Sequence, residues 1–424
     1  MRNRSKFVLI AVFVFAVAAI AWGKGKLLSL VETISTLHMS QPTPQMPPNF
    51  SEVTIPFELV AKHVMLKVTV NNSRPLWFVL DTGDKFAIVD LDRAKELGLK
   101  LGGDIQVGGV GSQTTTGAFV KETTFSISGF AGFSQPVTLA IPLKNLAARF
   151  GHDFDGILGA EFIKQFVVEV DYQLGVIKLH DKIRFAYSGP GESIPIHLNP
   201  MGHPVFEAQV VPLGGDPIKG DFVLDIGSRG SLALNSPFVA SHQLLGPNLK
   251  TIKAIGVGGT GGESNAQYGR VAELKIGRYL FKNPITLFSE DKAGAFANSA
   301  IQGSVGEEVV SKFKLFLDYS HDRISLEPNV SFGGPIDHAF SGLLIEAEGK
   351  DYKTYRIKDV QEHSAGSDVG LQKNDVINAV DGRPASELTF GEVSDILERP
   401  VTHVLIMGRG DQTLRVELTP RALV

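Results

Sequence analysis

Short apolar runs separated by Gly, Asn, Asp and Pro dominate the chain from about residue 51 onwards. The stretch from Val64 to Val70 alternates, and residues 78–80 form an apolar run of the kind found in buried strands. Helical patterns are few, and the clearest are short ones at 91–97 and 390–397. The pattern predicts a mainly β body with little helix.

The first 50 residues follow a different pattern. Basic residues among the first six precede an uncharged apolar run over residues 7–22. That layout is typical of a signal peptide or, if it stays uncleaved, of an N-terminal membrane anchor. We therefore assign residues 1–22 to one of these two and residues 23–50 to a Pro-rich linker. Either alternative predicts an exported protein, periplasmic or otherwise extracytoplasmic, with a membrane tether in the second case.

The body consists of two halves that repeat each other. The letters FVLD at 78–81 recur at 222–225, and a second set recurs at an offset of 147 (303 − 156). That set is Gly156, Gly159, Glu161, Phe166, Asp171 and Tyr172, which return as Gly303, Gly306, Glu308, Phe313, Asp318 and Tyr319. Each half also has a Gly-rich tip between its markers. A tandem duplication explains this order and predicts two lobes, residues 51–188 and 189–332.

Each half places an Asp directly after three apolar residues and directly before a turn. The two segments are Asp81-Thr82-Gly83 and Asp225-Ile226-Gly227-Ser228. An Asp that leaves a buried strand loses hydration, so it needs hydrogen-bond donors or a functional reason; capping the turn is the alternative role for either one alone. Equivalent points of a duplication meet at an approximate two-fold axis. Two carboxylates in contact share a proton, so one could activate a water and the other could protonate a carbonyl oxygen.

These segments resemble the catalytic loops of the pepsin and retropepsin-like aspartic peptidases, over roughly residues 51–330. The resemblance implies a bilobal, mainly β body with pseudo-two-fold symmetry and an endopeptidase activity carried by Asp81 and Asp225. It also implies that the Gly-rich tips are flaps closing over an extended polypeptide substrate. The residues implied to support the loops are Thr82, Gly83, Ile226, Gly227 and Ser228, and the implied flap glycines are Gly108, Gly109, Gly111, Gly256, Gly258 and Gly259.

Two positions depart from that family's pattern. The residue after each Asp is normally Thr or Ser, whose hydroxyls brace one loop against the other, and Ile226 has no hydroxyl. Asp84 stands where the family usually has Ser or Ala, and a third carboxylate raises the pKa values of the pair unless a cation such as Lys85 offsets it. The alternative function is therefore a catalytically inactive, peptide-binding protein of the cell envelope that retains the peptidase fold.

The last segment, residues 338–424, has no counterpart in either half. Its motifs Ser364-Ala365-Gly366, Gly370-Leu371 and Asn374-Asp375-Val376-Ile377 resemble PDZ modules attached to exported bacterial proteases. The resemblance implies a small α+β domain that binds a peptide or protein ligand at the loop of Gly342, Leu343 and Leu344. A structural cap without a ligand is the alternative.

Composition narrows the chemistry further. The absence of cysteine excludes disulfides and thiol nucleophiles, and a net charge of −4 without a long basic run gives no reason to expect nucleic acid. The 11 histidines show no metal-ligand spacing, so we predict neither metal nor cofactor; His63 and His203 are interpreted as structural strand residues. The G-x-G-x-x-G string at 256–261 lacks a following helix and is better explained as a flap tip than as a dinucleotide site. The oligomeric state is not predicted.

Overall fold

The computed structural model describes residues 43–44, 49–127, 130–259, 261–334, 340–422 and 424. The described residues are 46% strand and 13% helix, which confirms the predicted mainly β fold class. The predicted signal peptide or anchor lies outside the described residues, as does most of the predicted linker. None of the helices in the described ranges has the length and apolarity that a bilayer crossing requires.

The first part of the body is built around one large sheet. This part of the chain contains the strands β1 (Thr43–Pro44), β2 (Glu52–Pro56), β3 (Glu58–Val60), β4 (His63–Val70), β5 (Leu76–Leu80), β6 (Ile88–Asp90), β7 (Leu101–Gly108), β8 (Thr114–Ile127), β9 (Phe130–Ile141), β10 (Gly156–Leu158), β11 (Val167–Asp171) and β12 (Val176–His180). Its helices are α1 (Leu91–Glu96), α2 (Lys144–Phe150) and α3 (Ala160–Ile163). The sheet runs β1-β9-β6-β10-β5-β4-β8-β7, with β3 paired to β4.

A second large sheet follows in the chain. Its part of the chain contains β13 (Glu192–Pro195), β14 (His197–Leu198), β15 (Pro204–Val211), β16 (Ile218–Leu224), β17 (Leu232–Leu234), β18 (Ile252–Lys253), β19 (Gly258–Gly259), β20 (Gly262–Glu263), β21 (Ala266–Arg270), β22 (Glu273–Ile276), β23 (Tyr279–Lys282), β24 (Ile285–Ser289), β25 (Gly303–Val305), β26 (Phe313–Asp318) and β27 (Arg323–Pro328). The helices are α4 (Ser236–Ser241) and α5 (Glu307–Val310), with 3-10 turns at Ala295–Ala297 and Tyr319–His321. The sheet runs β18-β21-β24-β17-β25-β16-β15-β22-β23, with β14 on β15, while β19 and β20 form a separate hairpin.

A third sheet, in the order β13-β27-β26-β11-β12-β2, joins the two parts. At its centre β11 and β26 are antiparallel, and Val168 pairs with Leu317 while Val170 pairs with Leu315. The repeat offset makes Leu315 the equivalent of Val168 (315 − 168 = 147) and Leu317 the equivalent of Val170. Val168 therefore pairs with the counterpart of Val170, and Val170 pairs with the counterpart of Val168, which is the pairing that a local two-fold axis produces.

The C-terminal segment forms its own sheet in the order β28-β29-β30-β32-β33, with β31 on β30. The strands are β28 (Leu343–Glu348), β29 (Thr354–Val360), β30 (Val376–Val380), β31 (Arg383–Pro384), β32 (His403–Arg409) and β33 (Gln412–Leu418), and the helices are α6 (Ala365–Asp368) and α7 (Phe390–Leu397), with a 3-10 turn at Ala385–Glu387. Helix α7 begins at a capping box, because Thr389 and Glu392 each bond the other's backbone N–H. Its first residue, Phe390, packs in one apolar cluster with Phe150 and Phe154 of the body.

Phenylalanine packing fixes the strand that leads to the first Asp. Phe78 of β5 is fully buried and meets Phe125 edge-on at 5.9 Å, and Phe125 stacks on Phe133 at 5.0 Å. Phe133 in turn contacts Phe162 of α3 at 5.3 Å. This continuous aromatic core holds β5 rigidly, so the residue that follows it leaves the sheet at a defined place.

Candidate functional site

The first Asp loop (residues 81–85) and the second Asp loop (residues 225–229) leave the two large sheets in the same way. Strand β5 is parallel to β10, and β16 is parallel to β25. The N–H of Asp81 donates to the Leu158 carbonyl at 3.0 Å, and the N–H of Asp225 donates to the Val305 carbonyl at 2.9 Å. A short strand, β10 in the first half and β25 in the second, therefore fixes the backbone N–H of the Asp in the same way.

The structure brings the two predicted carboxyl groups together. The side chains of Asp81 and Asp225 hydrogen-bond to each other. The N–H of Gly83 donates to Asp81 Oδ1 at 2.7 Å, and that of Gly227 donates to Asp225 Oδ1 at 3.0 Å. Each carboxyl is thus held by its own loop and by the carboxyl of the other loop.

Glycine is required at both loops because the opposite carboxyl lies against it. A Cβ atom at Gly83 would come within 2.9 Å of Asp225 Oδ1, and one at Gly227 within 2.2 Å of Asp81 Oδ2. Real Cβ atoms essentially never approach another heavy atom closer than 3.0 Å. The two loops therefore cross at a distance that only glycine allows.

The electrostatics differ between the two carboxyls. Burial raises the pKa of Asp81, while the Gly83 N–H and the contacts with Asp225 and Gly227 lower it in part. Burial and then the negative charges of Asp81 and Asp84 raise the pKa of Asp225 well above its usual range. The pair therefore keeps a proton to higher pH than an isolated Asp would, and the larger rise in pKa falls on Asp225.

The brace between the two loops is one-sided. The Thr82 hydroxyl donates to the Leu224 carbonyl at 2.6 Å and accepts the Ile226 N–H at 3.0 Å. Both Thr82 and Ile226 are fully buried. Thr82 therefore satisfies the Leu224 carbonyl and the Ile226 N–H of the second half. The apolar side chain of Ile226 forms no equivalent hydrogen bond with the first loop.

Asp84 adds a third carboxyl beside the pair. Burial, followed by the negative charge of Asp81, raises the pKa of Asp84 to about 8. Asp84 is therefore protonated and neutral at pH values well below 8. The Lys85 ammonium donates to the Pro200 carbonyl at 3.1 Å and forms no ion pair with Asp84.

A cavity of about 910 Å³ opens above the carboxyls. The two predicted flap tips line it and touch each other, since the Gln113 N–H donates to the Gly261 carbonyl at 2.8 Å; the first tip also accepts a bond from the 3-10 turn at Ala295–Ala297, because the Ala295 N–H donates to the Gly109 carbonyl at 3.1 Å. Gly111 faces the other tip rather than the cavity, because a Cβ there would meet the Gly261 carbonyl at 2.5 Å. The remaining predicted flap residues line the cavity, namely Gly108, Gly109, Gly256, Gly258 and Gly259.

The loop with Gly342, Leu343 and Leu344 lines the same cavity as Asp81 and Asp225. Leu344 lies against the second flap, since a Cβ on Gly256 would come within 2.5 Å of Leu344 Cδ1. Strand β28 forms an edge of its sheet, and helix α2 of the body packs against it. The predicted peptide-binding loop therefore faces the space above the two carboxyls.

Ion pairs hold this region together. Lys62 Nζ lies 3.1 Å from Glu308 Oε1 and 3.4 Å from Glu398 Oε2, so one ammonium links the turn before β4, helix α5 and the end of α7. Arg149 Nε of α2 lies 4.0 Å from Glu346 Oε1 of β28. These contacts join the body to the C-terminal segment at the rim of the cavity.

Two residues that lie near the carboxyls were not predicted from the sequence to have a functional role. His63 lies 3.1 Å through Nε2 from the Gly227 carbonyl, and His203 lies beside the Gly83 backbone. Their equivalent places in the repeat were the available signal, but histidine spacing alone indicated only strand residues. Across the described residues, no group of three or more His, Asp or Glu side chains is arranged to hold a metal ion.

Comparison with known proteins adds one family match. Residues 66–162 match the model of the aspartyl protease family, a segment that contains the first Asp loop and the first flap and ends within α3. No curated protein matches the chain. Among solved structures, basic 7S globulin from soybean aligns over 68% of this chain and 98% of its own, with 8% identity and a TM-score of 0.42, which is too low to carry an argument. The chain is thus mainly β, and residues 66–162 match the aspartyl protease family.

Proposed function

We propose that the chain is an exported aspartic endopeptidase in which Asp81 and Asp225 act as one pair. The observation that carries the proposal is the contact between the two carboxyls, each backed by the N–H of its own glycine, at the floor of a cavity of about 910 Å³. The aspartyl protease match over residues 66–162 supports the same activity. The two halves of the body would act as lobes with one cleft between them.

The proposed reaction follows from the different proton affinities of the pair. Ionised Asp81 takes a proton from a water between the carboxyls, and the water oxygen bonds to the peptide carbonyl carbon. Protonated Asp225 gives its proton to the carbonyl oxygen, which forms a neutral gem-diol. Asp81 then gives its proton to the amide nitrogen while ionised Asp225 takes a proton from one gem-diol hydroxyl, so the C–N bond breaks, an acid and an amine leave, and the pair returns to its starting state.

The substrate would be a polypeptide in an extended conformation. The cavity is bounded above by two glycine-rich tips that touch each other, so a substrate enters only when the tips separate. The C-terminal segment would bind polypeptide at Gly342, Leu343 and Leu344. Because these residues line the same cavity, a chain held there lies close to the two carboxyls. Export through the N-terminal segment remains part of the proposal.

Replacing either carboxyl tests the activity. We expect Asp81→Asn and Asp225→Asn each to lower the turnover of an unfolded protein substrate by roughly 10²–10⁴-fold, because each variant removes a proton donor or acceptor. The fold should persist, since Asn is isosteric with Asp. Cleavage is measured by mass spectrometry of the products, and folding by circular dichroism.

The matched control is Asp221→Asn, an exposed carboxyl on the strand that leads to Asp225. It should keep full turnover. Retention of wild-type turnover by Asp81→Asn or Asp225→Asn would show that the pair does not carry the reaction. Peptide binding without cleavage by the wild-type chain would instead favour the inactive peptide-binding alternative, for which Ile226 and Asp84 are the motivating residues.

A further inference from the structure

His63 and His203 occupy equivalent positions in the two large sheets. Met65 pairs with Val79, two residues before Asp81, and Val205 pairs with Val223, two residues before Asp225. Each histidine lies two residues before its paired strand position, one at the start of β4 and the other directly before β15. The duplication therefore places an imidazole at the same point of each half.

His63 reaches across to the second Asp loop. Its ring is 4% exposed, with Nε2 at 3.1 Å from the Gly227 carbonyl and Nδ1 at 2.8 Å from the Ala61 carbonyl. Burial and the nearby Arg229 lower the pKa of His63 to about 4, so the ring is neutral near pH 7 and carries one N–H. Only one of the two carbonyls can therefore accept this hydrogen, and a hydrogen on Nε2 is the arrangement in which the ring donates to Gly227.

His203 reaches across to the first Asp loop in the same sense. The side-chain Oδ1 of Asn199 accepts the backbone N–H groups of Met201 and His203 at 2.9 and 3.1 Å. The side-chain Nδ2 of Asn199 is therefore the atom that faces His203 Nδ1 at 3.4 Å. An amide nitrogen donates, so Nδ1 accepts and the ring hydrogen is on Nε2. The ring also lies beside the backbone of Gly83, and both residues line the cavity.

The glycines that the rings contact are the ones that hold the carboxyls. The Gly227 N–H donates to Asp225 and its carbonyl faces His63; the Gly83 N–H donates to Asp81 and its backbone lies beside His203. We infer that His63 and His203 are positioning residues, which form a crossed brace that fixes each glycine of the pair from the opposite half. The inference rests on the proposed function, because it assigns a role in aligning the same two carboxyls.

The crossed brace supplies what the residue at 226 lacks. Thr82 ties the second loop to the first by two hydrogen bonds, and Ile226 offers none in return. The turn that presents His63 also has two non-glycine residues in the left-handed region, Ala61 at φ 47° and Lys62 at φ 67°. Such backbone strain persists only where the surroundings over-determine it, and it is concentrated at functional sites.

The test replaces each ring by one that cannot donate. We expect His63→Phe and His203→Phe each to lower kcat by roughly tenfold, the equivalent of one lost hydrogen bond, and to leave KM within about twofold because neither ring is proposed to bind substrate. His63→Gln and His203→Gln, which retain a side-chain N–H, should recover most of the loss. Adding Ile226→Thr should raise kcat more in the His63→Phe background than in the wild type.

The matched control is His180→Phe, a similarly buried ring on β12 that bonds Glu169 at 2.9 Å and touches neither loop. It should leave kcat of the folded protein unchanged. Equal losses in His180→Phe and the brace variants, or full kcat in both brace variants, would overturn the inference. So would an imidazole of His63 that carries its hydrogen on Nδ1 at neutral pH, measured by ¹⁵N NMR.

One readout does not depend on turnover. Amide hydrogen exchange of residues 225–229 should accelerate in His63→Phe, and exchange of residues 81–85 should accelerate in His203→Phe, each in the loop of the opposite half. If the wild-type chain cleaves nothing, the proposed function fails, and exchange still decides whether the brace exists. Unchanged exchange in both variants overturns the brace even if the two Asp→Asn variants confirm the peptidase.

Discussion

The two Asp loops share a backbone path and differ in the side chains around it. In both, the Asp N–H donates to a carbonyl of a short parallel strand, and a glycine N–H donates to the Asp carboxyl. The first loop contributes Thr82, which bonds the second loop twice, whereas the second contributes an apolar Ile226. The first also carries Asp84, whose counterpart is Ser228. Duplication thus conserves backbone geometry more strictly than the polar contacts laid upon it.

The space around the glycine also differs between the two loops. Substituting these glycines should have the largest effect on turnover. A Cβ at position 227 would lie 2.2 Å from Asp81 Oδ2, but one at 83 would lie 2.9 Å from Asp225 Oδ1. We expect Gly227→Ala to displace Asp81 and to lower kcat/KM by about 10²-fold, the cost of misplacement by roughly 1 Å. Gly83→Ala should cost less, because its neighbour needs to move only by tenths of an ångström.

Steady-state cleavage of an unfolded protein measures both variants. Gly230→Ala is the control, since a Cβ there meets open space one residue beyond the second loop. A loss in Gly83→Ala equal to or greater than that in Gly227→Ala would contradict the assigned asymmetry.

The repeat in the sequence was enough to predict that the loops meet, but not how side chains complete them. The recurring FVLD letters mark equivalent strand ends, and equivalence implies a meeting at the axis. Strand β4 shows the limit of local pattern: it was predicted to alternate, yet it is buried almost throughout. Val64 and Leu66 enter one apolar core and Met65 enters another, so both faces of the strand are covered.

The roles of His63 and Asp84 depended on contacts that no local pattern encodes. His63 gains its partner from a loop 164 residues away, and spacing along one strand says nothing about such a neighbour. Asp84 was expected to burden the pair with a further negative charge. Below about pH 8 Asp84 is instead protonated and neutral, because burial disfavours the ionised form. Burial of a single side chain at a cavity floor is a property of the assembled fold.

Removing the one hydroxyl brace should have the next largest effect. Thr82→Val deletes the donor to the Leu224 carbonyl and the acceptor for the Ile226 N–H. Each buried group left without a partner costs roughly 1–3 kcal/mol of unfolding free energy, so Thr82→Val should be clearly less stable in urea titrations. Thr82→Ser retains the hydroxyl and should stay near the wild type. Equal stability of the Val and Ser variants would show that the brace contributes nothing.

The smallest expected effect comes from making the first loop resemble the second at Asp84. Above about pH 8, where Asp84 is ionised, its negative charge raises the pKa of Asp225, so Asp84→Ser should lower the pKa of Asp225. The reaction requires the pair to keep one proton, and turnover falls as pH rises through the upper apparent pKa of the pair. The alkaline limb of the pH–rate profile should therefore move to lower pH in Asp84→Ser, with the acidic limb unchanged. Asp84→Asn removes the same charge at nearly constant volume and should give the same shift. An alkaline limb that moves in the Ser variant but not in the Asn variant would trace the effect to packing rather than to charge.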